Sequence, residues 1–124
     1  MNAVDSSAWL EYFTGGPNAE YFAKAIEDVG NLLVPSITIY EVFKKVLQER
    51  GENAALQVVA QMKTGCVVEV DEDLAIEAAR LSVAHKLPMA DSLILATARV
   101  HDAWVWTQDG DFKGLSKVNY RAKK

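Results

Sequence analysis

Short apolar runs alternate along the chain with longer segments whose apolar residues recur at helical spacing. The runs near 2–4, 32–35, 66–70, 104–106 and 118–120 predict strands. The segments between them predict helices over about 7–14, 18–29, 36–50, 52–63, 71–85 and 90–101. Because helices separate most of the strands, the sequence predicts a three-layer α/β/α fold around a mainly parallel sheet of four to five strands.

The helix predicted over 90–101 carries an acidic residue where its pattern is otherwise apolar. Nearly every residue from Ser92 to Ala98 is small or apolar, which is typical of a helix buried on most faces. Pro88 favours a turn before this helix and places Asp91 in its first turn. The carboxylate could stabilise the positive end of the helix dipole, or it could belong to a functional site.

Three further acids interrupt or end apolar runs in the same way. Asp5 directly follows the first predicted strand, Asp109 comes one or two residues after the predicted fourth strand, and Glu41 lies on the predicted third helix. Because ligands bind at the carboxyl ends of parallel strands, we expect these acids and Asp91 to meet at one sheet edge. Converging carboxylates repel each other unless a cation lies among them, and oxygen ligands favour Mg²⁺ or Mn²⁺. Such a site predicts hydrolysis of a phosphodiester.

Asp5 and Glu41 each have a local alternative. Asp5 could cap the first helix, although Ser6 and Ser7 are equally able to do so, and we expect one of these serines to be the cap. The spacing of Thr38 and Glu41 matches a capping box, in which the glutamate would accept from the backbone of Thr38. Neither local pattern alone distinguishes the two roles.

Asp109 also has a local alternative. Asp109-Gly110 is a common turn dipeptide, so this carboxylate could hydrogen-bond the adjacent backbone. Asp111 is a second acid in the same segment that could replace or assist it. The fourth acidic ligand is therefore assigned to Asp109, with Asp111 as an additional candidate.

Length and composition favour one globular domain over residues 1–124. The chain has 124 residues, of which 50% are hydrophobic. The lone Cys66 lies in an apolar run, so we expect a buried structural thiol. The first residues lack the pattern of a signal peptide, and no apolar run is long enough to span a membrane. We expect a cytoplasmic protein without a membrane partner.

Charge is distributed unevenly along the chain. The formal net charge of −4 argues at first against a nucleic-acid partner. The basic C-terminal strip, residues 112–124, nevertheless holds five of the 13 Lys and Arg residues and none of the 17 Asp and Glu residues. This strip could contact RNA, or it could be a solvated tail.

Four segments together resemble the PIN-domain nucleases, in particular the VapC-type toxins of toxin-antitoxin pairs. They are residues 4–7 (VDSS), 39–42 (IYEV), 87–98 (LPMADSLILATA) and 107–112 (TQDGDF). The resemblance covers essentially the whole chain in order and spacing, and the third segment is the most specific. It implies a PIN-like fold and an endoribonuclease that depends on Mg²⁺ or Mn²⁺ and hydrolyses RNA.

The same resemblance implies roles for particular residues and partners. Asp5, Glu41 and Asp91 would be the core metal-binding acids and Asp109 the fourth, with the hydroxyls of Ser6 or Thr107 supporting them. A small antitoxin would cover the cleft, and the protein would form a homodimer. The alternatives are a PIN-like RNA-processing nuclease without a toxin role and a catalytically silent binding module of the same fold.

Overall fold

Five short parallel strands form the central sheet of the computed structural model, which describes residues 1–124. They are β1 (Asn2–Val4), β2 (Leu32–Pro35), β3 (Cys66–Val68), β4 (Trp104–Thr107) and β5 (Val118–Tyr120). The strand order is β3-β2-β1-β4-β5, and all four pairings are parallel. The predicted mainly parallel sheet of four to five strands is confirmed.

Six α-helices cover the two faces of this sheet. They are α1 (Ser6–Thr14), α2 (Ala19–Ile26), α3 (Ser36–Arg50), α4 (Glu52–Met62), α5 (Glu72–His85) and α6 (Met89–Val100), with short 3₁₀ turns at Val29–Asn31 and Gly110–Phe112. None of the helices has the length and apolar character that crossing a membrane requires.

Side-chain alternation along the strands produces two hydrophobic cores, one on each face. Ala3, Leu33 and Val105 point toward α5 and α6 and pack with their apolar residues. Their neighbours Val4 and Leu32 point the other way, into a cluster with buried residues of α1, α2, α3 and α4. Successive residues of a strand face opposite sides of its sheet, so this arrangement forms the predicted three layers.

Three local predictions differ from the structure. The predicted second helix ends at Ile26 and not at Val29, and the third strand ends at Val68 and not at Val70. Cys66 is exposed, so the prediction of a buried thiol is wrong. The reason is the position of β3 at the edge of the sheet, where only β2 pairs with it. An apolar run cannot by itself distinguish an edge strand from a central one.

The centre of the sheet is its topological switch point. β1 pairs with β2 on one side and with β4 on the other, although Asn2 and its partner Trp104 are about 100 residues apart. From β1, the strands β2 and β3 are added toward one edge of the sheet, whereas β4 and β5 are added toward the other edge. A crevice therefore opens at the carboxyl ends of β1 and β4, which is where open α/β sheets bind ligands.

Candidate active site

Asp5 follows β1 directly and is almost fully buried, with 2% of its surface exposed. Its Oδ1 accepts hydrogen bonds from the backbone N–H of Ala8 (3.1 Å) and the hydroxyl of Ser7 (2.8 Å). Its Oδ2 accepts from the hydroxyl of Thr107 at 2.8 Å. The cap of α1 is therefore Asp5, and the prediction of a serine cap is wrong. Ser7 instead donates to the capping carboxylate.

Thr107, the last residue of β4, connects Asp5 to the segment that carries Asp109. The Thr107 hydroxyl is fully buried and accepts from the backbone N–H of Asp109 at 2.9 Å while it donates to Asp5. Asp109 in turn accepts from the backbone N–H of Asp111 through Oδ1 at 2.9 Å and caps the following 3₁₀ turn. The turn interpretation of Asp109 is confirmed, and the turn leaves its Oδ2 without a protein hydrogen bond.

Glu41 reaches the same crevice from the second turn of α3. Its Oε1 accepts from the hydroxyl of Ser6 at 2.6 Å, which joins α3 to the start of α1. The capping box does not form, because α3 begins at Ser36 and the Thr38 hydroxyl donates to the carbonyl of Pro35 at 2.7 Å. Glu41 is thus free of the backbone role that its spacing suggested.

Asp91 occupies the first turn of α6, as predicted, and Pro88 is the residue before that helix. Its side chain accepts no hydrogen bond from a backbone N–H, in contrast to that of Asp5. One carboxylate oxygen from each of Asp91, Asp109 and Asp111 lies within 4.8 Å of the others. Three carboxyl groups therefore lie close together at the N-terminus of α6.

These residues surround a cleft of about 350 Å³. Its lining consists of Asp5, Ser6, Ser7, Leu10, Glu41, Lys45, Asp91, Asp109 and Lys123. The structure thus brings together the four predicted acids, with Thr107 buried beneath them and Asp111 beside Asp91 and Asp109. A larger groove of about 650 Å³ lies between β3, α5 and the end of α6, so chemistry and not volume distinguishes the acidic cleft.

Burial and mutual repulsion make two of the acids hard to ionise. Burial raises the pKa of Asp5 to about 6, although the hydrogen bonds from Ser7, Thr107 and Ala8 oppose the shift. Burial, followed by repulsion from Asp109 and Asp5, raises the pKa of Asp91 to about 8. A cation placed among these carboxylates would favour their charged forms.

The donor set of the cleft fits a hard divalent cation. Every candidate ligand offers oxygen, either from a carboxylate or from a hydroxyl, and no His or Cys lines the cleft. Mg²⁺ and Mn²⁺ prefer such donors, whereas zinc sites usually include nitrogen or sulfur. The residues that would hold the ion are Asp91 and Asp109, with Asp5, Glu41 and Asp111 around them.

Sequence reasoning identified the supporting hydroxyls of Ser6 and Thr107 but missed the positive charge that Lys123 adds to the cleft. Lys45 lies one helical turn after Glu41, a spacing at which the two could pair, but in the structure Lys45 pairs with Glu49. Ser7 was expected only as a helix cap, and nothing in the local sequence distinguished Lys123 from the rest of the basic strip. Lys123 reaches the site because Asn18 and Thr107 bind the backbone just before it, which no pattern within one segment records.

Comparisons with solved structures reveal close similarity of fold. A toxin-antitoxin complex from Klebsiella pneumoniae contains a chain with a TM-score of 0.85 and 22% identity over 100% of both chains. VapC20 of Mycobacterium tuberculosis, described as a sarcin-ricin loop cleaving toxin, has a TM-score of 0.78 and 19% identity over 95% of this chain and 97% of that one.

DNA-bound VapBC from Salmonella typhimurium has a TM-score of 0.73 and 16% identity over 98% of this chain and 96% of that one. The comparison with curated proteins gave no match. The family model described as the PIN domain matches residues 3–118, which include most of β1, all of β4 and all four acids of the cleft. The chain therefore belongs to the PIN-domain family.

Proposed function

We propose that the protein is a metal-dependent endoribonuclease and the toxin of a toxin-antitoxin pair. The observation that carries this proposal is the convergence of Asp5, Glu41, Asp91 and Asp109 on one cleft, from four different elements of the chain. Membership of the PIN-domain family supports a nuclease. VapC20, a structural neighbour described as cleaving the sarcin-ricin loop, supports RNA as the substrate class.

Each residue of the cleft has a part in this proposal. Asp91 and Asp109 hold the cation, and Asp5 provides a carboxylate fixed by hydrogen bonds from the first turn of α1 and from the end of β4. The Ser6 hydroxyl orients Glu41, and Thr107 orients Asp5. When bound, Mg²⁺ or Mn²⁺ lowers the pKa of an attacking water and stabilises the negative charge that develops on the phosphate.

The toxin role and its partners rest on the structural neighbours. The similar chains come from a toxin-antitoxin complex of Klebsiella pneumoniae and from VapBC of Salmonella typhimurium. We therefore propose a small antitoxin as the partner that covers the cleft, a homodimer as the active assembly, and the cytoplasm as the location. Co-purification of a dimer of this chain with the product of a neighbouring gene would test the partners.

Cleavage of RNA by matched variants tests the proposed activity. Purified protein is incubated with total RNA and Mg²⁺ or Mn²⁺, and the fragment ends are sequenced. Wild type should cleave, and Asp91→Asn should be reduced to the level of chelator-treated wild type. Asp73→Asn is the control, because Asp73 lies in the first turn of α5 and outside the cleft.

Two results would contradict the proposal. Full cleavage by Asp91→Asn with an unchanged melting temperature would remove Asp91 from the active site. Equal, negligible binding of Mn²⁺ by wild type and Asp5→Asn would favour a silent binding module of the same fold. Asp73→Asn should behave as wild type in both assays.

A further inference from the structure

The basic C-terminal strip does not form one continuous surface. Lys117 pairs with Asp102, which lies between α6 and β4 and therefore beside the amino ends of the strands. Lys113 lies 6.0 Å from the ring of Tyr120. Lys123 alone among the strip's basic residues lines the acidic cleft, at the carboxyl ends of the strands. The strip therefore divides into residues remote from the cleft and one residue inside it.

Three contacts hold the segment before Lys123 against the body of the protein. The backbone N–H of Arg121 donates to the carbonyl of Thr107 at 2.9 Å, which extends the pairing of β5 with β4. The Arg121 guanidinium lies 4.0 Å from the centre of the Tyr21 ring. Asn18, only 1% exposed, donates through Nδ2 to the carbonyl of Ala122 at 2.9 Å. These contacts fix the position of Lys123 at the cleft.

The ammonium group of Lys123 has no carboxylate within 4.0 Å, although four acids share its cleft. Lys45, on the α3 side of the same cleft, pairs with Glu49 at 3.0 Å. Lys123 is thus the cation of the cleft that remains without an ionic partner. An anionic substrate that enters a cleft lined by four acids requires positive charge near its path.

We propose that Lys123 binds the RNA phosphate backbone next to the scissile phosphate and thereby positions the substrate across the cleft. This inference rests on the proposed function, since it assigns a binding residue to the same site. A lysine ammonium is a compact cation that binds phosphate as a point charge and reads no sequence. Lys123 therefore contributes to the affinity for RNA of any sequence.

Kinetics of matched lysine variants test the assignment. Lys123→Ala should raise KM for a single-stranded oligoribonucleotide roughly tenfold, as expected for one lost charge-assisted contact, and leave kcat nearly unchanged. Lys123→Arg should restore KM. The control is Lys124→Ala, which removes the same charge one residue further along, outside the cleft lining.

A binding assay separates this inference from the proposed activity. Anisotropy of a labelled oligoribonucleotide is measured with Asp91→Asn protein, with and without Lys123→Ala, over a series of salt concentrations. Loss of Lys123 should make the slope of log Kd against log salt shallower by about 0.7, the value for one phosphate contact with a single strand. The affinity for Mn²⁺ alone, measured for Lys123→Ala in the otherwise wild-type protein, should equal that of wild type.

The outcomes are distinct. Equal KM and salt slope for Lys123→Ala and Lys124→Ala would overturn the role of Lys123 while leaving the nuclease proposal intact. A changed Mn²⁺ affinity with unchanged RNA binding would make Lys123 a counter-ion of the acids and would also overturn the inference. If Lys123→Ala weakens RNA binding but wild type cleaves no RNA, the role of Lys123 is supported and the nuclease proposal is contradicted.

Discussion

The two sides of the acidic cleft hold their carboxylates in opposite ways. On the β1 side, Asp5 is buried and accepts hydrogen bonds from a backbone amide and two hydroxyls. On the α6 side, Asp91 is half-buried, accepts no backbone hydrogen bond, and lies among the other acids Asp109 and Asp111. The first carboxylate is fixed by neutral donors, whereas the second is surrounded by negative charge.

This difference indicates that Asp5 fixes the geometry of the site, whereas the acids around Asp91 contribute most of the affinity for a cation. A carboxylate whose orientation is fixed before any ligand binds loses little entropy when it becomes a ligand. A group of unpaired acids has a high free energy until a cation joins it, so that side gains most on binding. Each of the following changes should affect one side of the cleft more than the other.

The largest expected effect is a loss of stability as the pH rises in the presence of chelator. Asp5 and Asp91 have pKa values of about 6 and about 8 in the folded protein, against 3.8 as the ordinary value. The folded state therefore binds more protons than the unfolded state between about pH 4 and pH 8. Its free energy of unfolding should fall as the pH rises, by on the order of 3 kcal/mol for buried Asp5 alone.

Urea unfolding from pH 4 to pH 9 measures this pH dependence of the free energy of unfolding. Two variants separate the contribution of Asp5 from that of Asp91. Asp5→Asn should make the slope shallower between about pH 4 and pH 6, and Asp91→Asn should make it shallower from about pH 4 to about pH 8. A pH dependence that is the same in wild type and both variants would contradict the two pKa shifts.

The next effect is stabilisation by a divalent cation at pH 8. Mn²⁺ at about 100 times its dissociation constant should raise the free energy of unfolding by about 2.7 kcal/mol, since it binds only the folded state. Because the repulsion is concentrated at Asp91, Asp91→Asn should lose most of this gain. Thermal unfolding with and without Mn²⁺ measures it, with Asp73→Asn as the control. Equal gains in all three proteins would show that the ion binds elsewhere.

Alanine and asparagine substitutions should distinguish the two acids by a smaller amount. Asparagine at position 5 can cap the helix and accept, through its single Oδ1, the hydrogen bonds from Ala8 and Ser7, whereas alanine leaves Ala8 N–H and two hydroxyls without an acceptor. Asp5→Ala should therefore be about 2 kcal/mol less stable than Asp5→Asn.

At Asp91 the same pair of substitutions should differ little, because that side chain accepts no backbone hydrogen bond. Denaturant midpoints of the four variants at pH 8 provide the comparison. If Asp91→Ala were destabilised relative to Asp91→Asn as strongly as Asp5→Ala is relative to Asp5→Asn, the two sides would not differ in the way described.

The smallest effect concerns the hydroxyl that joins α1 to α3. Ser6→Ala removes the hydrogen bond to Glu41 and should lower the free energy of unfolding by about 1 kcal/mol, since the pair is only partly buried. It should also weaken Mn²⁺ binding by roughly tenfold, as is typical when a residue that orients a metal ligand is lost. Calorimetric titration measures this change, with exposed Ser116→Ala as the control. An unchanged Mn²⁺ affinity would leave Ser6 with a structural role only.

Much of the fold could be predicted from local patterns. The apolar strand at 32–35 and the helix that begins after Pro88 were correct because burial dictates their composition along consecutive residues. The edge position of Cys66 could not be predicted, since exposure there depends on which strand lies next to β3. A local sequence pattern predicts the secondary-structure elements more reliably than it predicts which elements pack beside one another.

The same limit applies to the site. The four acids could be selected because each occupies a strand end or a helix in an otherwise apolar segment. Their supporting bonds join residues that are 35 and 102 positions apart, from Ser6 to Glu41 and from Asp5 to Thr107. Such pairs depend on the completed sheet, and no spacing rule within one helix or turn identifies them.

The pairing of the first strand with the fourth also determines when, during synthesis, the cleft can form. Asn2 lies opposite Trp104, and Asp5 receives its bond from Thr107, so the amino-terminal strand lacks one neighbour until most of the chain has been translated. Asp5 and Glu41 can come together on β1, α1 and α3 before β4 is synthesised, whereas Asp109 joins them only afterwards. A nascent chain shorter than about 107 residues carries three of the four acids of the cleft and lacks the hydrogen bond from Thr107 that completes the support of Asp5.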